Sequence, residues 1–156
     1  MVLPGQTSAT QNGHMNRLLS PAILAVALLC HVGLSMAGEP FTGKWTVDLR
    51  TPAERQRGVE CGTADFVLKQ ADEAITGTHS MAVAGCGRLN EGGPVKGIVV
   101  RSTAVLVVTS GRNGAIAMGT AKLSDGKLLW RVVEEISAGP GGDPLILDNG
   151  SLARAQ

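Results

Sequence analysis

Phe41-Thr42-Gly43-Lys44-Trp45-Thr46-Val47-Asp48-Leu49-Arg50 alternates with a period of two. Phe41, Gly43, Trp45, Val47 and Leu49 fall on one side of an extended chain, and Thr42, Lys44, Thr46, Asp48 and Arg50 fall on the other. A strand points successive side chains to opposite faces, so the first set belongs to a core and the second to solvent. The same period continues downstream, punctuated by Gly, Asn and Asp every ten residues or so, which is the pattern of an antiparallel meander.

Working outward, residues 51–58 carry an early proline and three charges, and read as a loop or one helical turn. Strands are expected over residues 64–70 and 74–81, turning at Ala71-Asp72-Glu73, then over 95–100 and 104–110. Residues 82–93, small and Gly-rich around Cys86, read as a loop. Gly111-Arg112-Asn113-Gly114 reads as a hairpin turn in which Asn-Gly supplies positive φ angles. Strands over 115–123 and 127–136 flank a tight turn at Ser124-Asp125-Gly126. A last short strand is expected at 145–147, followed by a frayed tail.

Glycine recurs inside these strands, at Gly43, Gly77, Gly97 and Gly119. Strand interiors normally exclude it, and small barrels use it where strands turn corners. The expected fold is therefore an all-β, antiparallel up-and-down meander closing into a seven- to eight-stranded barrel, with a β-sandwich as the alternative. One feature sits badly with a monomer: residues 105–108 and 98–100 are apolar on both faces. Either a homo-oligomer packs through these strands, or a loop or the C-terminal segment lies over them.

Upstream of the barrel, Met15-Asn16-Arg17 forms a basic start, residues 18–29 are almost wholly apolar, and Ser35-Met36-Ala37 places small residues at a cleavage site. Those are the three parts of a secretory signal peptide. It spans residues 15–37, with cleavage before Gly38, while polar and patternless residues 1–14 read as a non-native upstream extension. A membrane anchor is the first alternative, but Ser20-Pro21 breaks the run short of the roughly 20 apolar residues a span needs. A lipoprotein signal acylated on Cys30 is the second, and Leu29 stands where that processing wants a small residue. The mature chain is thus residues 38–156, one domain, periplasmic or extracellular.

Loss of Cys30 leaves Cys61 and Cys86, a pair expected to oxidise in an exported protein. Losing Arg17 also balances acidic and basic residues, so no strong field draws nucleic acid or anionic lipid. With two tryptophans, two phenylalanines and no tyrosine, the usual base-stacking platforms are missing.

Gly43-Lys44-Trp45 resembles the G-x-W signature of lipocalin- and avidin-type barrels, and Ala71-Asp72-Glu73-Ala74-Ile75-Thr76-Gly77-Thr78 resembles the second hairpin of avidins, close to A-D-G-A-L-T-G-T. That resemblance implies an eight-stranded antiparallel barrel with a ligand mouth at one end, often assembled as a tetramer. It does not extend to biotin. Val47 stands where avidins place an asparagine, His79 where they place a tyrosine, and Met81 at the nearby serine position.

Candidate site residues are few. Trp45, His79 and Trp130 fall on apolar faces and are the expected lining of a ligand calyx, although packing accounts for the tryptophans and a structural role for the histidine more simply. His79 is the only histidine after residue 37, so a zinc site has too few ligands, and no cofactor is expected. Glu134 and Glu135 are neighbours on a strand and face opposite ways, and Ser80 points away from His79, so neither an acid–base pair nor a Ser-His dyad forms. The expectation is a non-catalytic exported binding protein whose partner is a small apolar ligand or a protein surface. Its alternative is an inhibitor of a secreted hydrolase, a lysozyme or protease, presenting residues 111–114 or 51–58.

Overall fold

The computed structural model describes residues 38–156; the expected signal segment with Cys30, and the extension before it, lie outside the described residues. Eight strands follow one another: β1 (Gly43–Asp48), β2 (Thr63–Ala71), β3 (Ala74–Ala82), β4 (Leu89–Val100), β5 (Thr103–Thr109), β6 (Ile116–Ser124), β7 (Lys127–Ser137) and β8 (Asn149–Arg154). A single helical turn, α1 (Pro52–Gln56), lies between the first two. Every strand pairs antiparallel with the next and β8 returns to β1, so the meander closes into an eight-stranded barrel and not a sandwich.

Alternation divides the barrel wall as the sequence pattern demands. Trp45 on β1, Ala64, Phe66 and Leu68 on β2, Leu106 and Val108 on β5, and Trp130 on β7 are all buried in the interior. Two strand glycines show why small residues recur there. At Gly77 and Gly119 the neighbouring strand comes so close that a Cβ would run into the Val67 carbonyl oxygen and the Trp130 indole, respectively. Glycine at these inward positions lets the wall coil tightly around a narrow core.

Asp125 and Gly126 both take positive φ, 51° and 73°, forming the primed two-residue turn that joins β6 to β7. The loop at residues 111–114 differs from expectation. Only Gly114 is left-handed there, at φ 71°. Asn113 instead uses its side chain, accepting from the Ala115 N–H at 3.2 Å and donating to the Asp143 carbonyl at 3.1 Å.

Two expected boundaries are corrected. β4 starts at Leu89, inside the presumed loop, because a register shift between His79 and Met81 absorbs the extra residue at Glu91-Gly92 and lets pairing continue. Residues 145–147 form no strand, and the tail does not fray. Leu145 and Leu147 are buried against the barrel core, and the chain then becomes β8, held on one side by β7 and on the other by β1.

The apolar outer face is confirmed as bare among the described residues. Ile98 and Val100 are 55% and 52% exposed, and Val107, opposite Lys96 on the neighbouring strand, is 36% exposed. Neither a loop nor the C-terminal segment lies over them, which disposes of the intramolecular cover.

Candidate functional site

The two ends of the barrel are built differently. At one end the connections are two residues long, at 72–73, 101–102 and 125–126. The other end carries all the long ones, at 49–62, 83–88, 110–115 and 138–148. Long loops on a rigid scaffold are where recognition residues collect.

These four loops are bound to each other rather than loose. Cys61 and Cys86 form a disulfide between the first two, with Cα atoms 5.3 Å apart, and the Gly85 N–H donates to the Glu60 carbonyl at 2.9 Å beside it. Asn90, wholly buried, joins the other two. Its Nδ2 donates to Ser110 Oγ at 2.9 Å, and its Oδ1 accepts from the Ile146 N–H at 3.0 Å. Arg112 and Asp143 add a surface ion pair at 3.4 Å. On the first loop, Thr51 and Glu54 form a reciprocal capping box around α1. At its base, hydrogen bonds from the Arg50 side chain and backbone hold the Asp48 carboxyl down to about 2.

Trp45, His79 and Trp130 are all inward and nearly inaccessible, and all three neighbour Phe66, which is the register partner of Trp45 on β1 and of His79 on β3. His79 and Trp130 lie on either side of the Phe66 ring, with centroids 6.3 and 5.2 Å from it. Trp45 sits toward the short-turn end, where the Arg154 guanidinium covers its ring at 4.3 Å. Both indole N–H groups are used within the chain: Trp45 Nε1 donates to the Phe41 carbonyl and Trp130 Nε1 to the Leu147 carbonyl, each at 2.9 Å. Through that second bond the 138–148 loop is drawn into the barrel, with Leu145 and Leu147 joining the core. The mouth expected of a ligand barrel is thereby occupied by the chain itself.

His79 Nε2 is 2.8 Å from the Thr109 carbonyl, which accepts and so fixes the proton on Nε2. Its Nδ1 is buried without a partner. Burial lowers the imidazole pKa below its ordinary 6.5, the hydrogen bond to Thr109 opposing this only in part. A group with a depressed basic pKa stays neutral in the fold and takes up a proton on unfolding, so the barrel loses stability as pH falls through the unfolded value near 6.5. Urea midpoints at about pH 8 and about pH 5 should differ, the lower pH being the less stable, and His79→Gln should remove most of the difference. Equal midpoints in the parent protein would rule this out.

An open cleft of about 420 Å³ lies on the loop end, between the disulfide loop and the 110–115 loop. Its walls include Arg88, Leu89, Glu91 and Arg112, with the Cys86 half of the disulfide. Arg112 belongs to the 111–114 loop expected to present to a partner and Cys86 to the expected disulfide, whereas Arg88, Leu89 and Glu91 were not candidates from sequence. The buried pair Asn90 and Ser110 was missed as well, since the irregularity at Glu91-Gly92 breaks the parity that would have marked Asn90 as inward. Among the described residues, no three His, Cys, Asp or Glu side chains gather in a way that would hold a metal ion. No family model, curated protein or solved structure matches this chain.

Proposed function

We propose that the mature chain is an exported, non-catalytic binding protein that meets a partner protein through the loop end of its barrel. The observation that carries this reading is a pairing of two features: an interior filled by Phe66, Trp130, Leu145 and Leu147, and four long loops tied in two pairs, one by the disulfide and one through Asn90. Small-ligand barrels need an interior cavity, whereas a pre-organised loop surface lowers the entropic cost of gripping a protein. An inhibitor of a secreted lysozyme or protease is the specific form that suits a small disulfide-tied barrel. Placement among lipocalin- and avidin-like barrels is supported by the closed eight-stranded meander. The disulfide accords with an oxidising, exported location.

Residues 38–156, immobilised and challenged with a panel of secreted lysozymes and proteases, should capture or inhibit at least one of them. Substitutions in residues 111–114 should weaken that effect. Native mass spectrometry of protein from its own host that revealed a retained apolar small molecule, or a panel without a single hit, would count against the reading. The bare Ile98, Val100 and Val107 face supports a homo-oligomer as a second contact of the same protein. Light scattering on the eluting peak should give two or more copies, and a clean monomer would remove that part.

A further inference from the structure

The geometry points to the loop-end cleft as a carboxylate-binding site, with Arg88 and Arg112 as its cationic walls. This deepens the loop-end reading and rests on it, by naming the chemical group the partner offers. Arg88 is the telling residue. Its Nε is sealed from solvent and has no hydrogen-bond acceptor, and no Asp or Glu forms an ion pair with it among the described residues. A sealed guanidinium N–H normally finds an acceptor, and Arg88, only partly buried on the cleft wall, is left with its charge unpaired there, which invites an oxyanion into the cleft. Arg112, across the cleft, holds only the half-exposed Asp143 at 3.4 Å, a pairing weak enough to be exchanged.

Charge and shape favour a monoanionic carboxylate over phosphate. Once Asp143 is displaced from Arg112, two arginines and Glu91 give the walls a net single positive charge, which one negative charge neutralises and two would overshoot. A guanidinium fork matches the planar geometry of a carboxylate. Leu89 and the Cys86 sulfur supply an apolar flank for a short methylene stem, as in an acidic side chain or a chain terminus. The flank is held in place from below, where Gly111 packs so tightly on Glu91 that a Cβ would run into the Glu91 carbonyl oxygen.

The test is a titration of isotope-labelled residues 38–156 followed by nuclear magnetic resonance at the arginine Nε–H groups. Acetate and inorganic phosphate are added separately at an ionic strength held constant with chloride. Acetate should move the Arg88 and Arg112 signals and the Gly87 and Gly111 amides saturably, in the millimolar range. Arg88→Gln and, independently, Arg112→Gln on its exposed loop should each weaken acetate about tenfold, a change of about 1.4 kcal/mol. Glu91→Gln should tighten it. Shifts that do not saturate, shifts that survive both arginine substitutions, or tighter binding of phosphate than of acetate would overturn the assignment. No partner protein is needed, so a failed titration counts against the cleft alone and a failed capture against the loop-end reading alone.

Discussion

Trp45→Ala is expected to cost about 3–5 kcal/mol, a large part of the roughly 5–15 kcal/mol that holds a domain of this size folded. The indole is 1% exposed, so truncation leaves a cavity that the surrounding strands fill only in part. It also strips the Phe41 carbonyl of its 2.9 Å donor. Above all, it removes the surface on which Arg154 lies while donating to the carbonyls of Thr42 and Pro40. That arginine stands at the weakest seam of the barrel. β8 meets β1 at only two register pairs, Trp45 with Arg154 and Thr46 with Ala153, against six between β1 and β2. The loss should therefore appear first as amide exchange in β8, and then as a lower urea midpoint. Arg154→Gln should reproduce the β8 exchange at a smaller cost, about 1 kcal/mol, because the cation–π contact is on the exposed side. A Trp45→Ala midpoint within about 1 kcal/mol of the parent would show that the seam does not depend on this residue.

Removing the disulfide is the second large effect. The bond closes a 25-residue separation between Cys61 and Cys86, for which the chain-entropy model gives about 3 kcal/mol. Both cysteines also sit in left-handed backbone, at φ 59° and 61°, where a residue with a Cβ is disfavoured. Once the sulfurs are parted, these two positions have reason to relax toward negative φ, so the change should spread along the loop end and reach the cleft wall at Cys86. Cys61→Ala with Cys86→Ala, or reductant added to the parent, should lower the urea midpoint while far-ultraviolet circular dichroism stays that of a barrel. Acetate binding at Arg88 should fall in parallel. An unmoved midpoint in reductant would refute the stabilising role.

Amino-acid order alone carried the strand period and the inward faces, because period-two alternation is a local property that every strand repeats. The alternation around Trp45 marked that residue as core, and the Asp125-Gly126 turn was legible from two residues whose φ preferences are intrinsic. The glycines at 77 and 119 announced tight curvature for a reason equally local: no other side chain leaves that space. The disulfide followed from counting cysteines once a signal segment was assumed.

What only the tertiary structure decided are the long-range placements. β8 reads as an unpatterned tail, and it is a strand because β7 and β1 stand on either side with unfilled hydrogen-bonding edges. Leu145 and Leu147 carry apolar character in either reading, but whether they form a strand or plug the barrel depends on the space around Trp130. Asn90 was hidden by the irregularity beside it, and its meaning lies in partners 20 and 56 residues away. Arg88 and Arg112 share one cleft only because the barrel returns their loops to the same end. The sequence determined a barrel wall and its core from neighbour-to-neighbour preference; the loop-end cleft came from closure, which brings together residues that no local pattern relates.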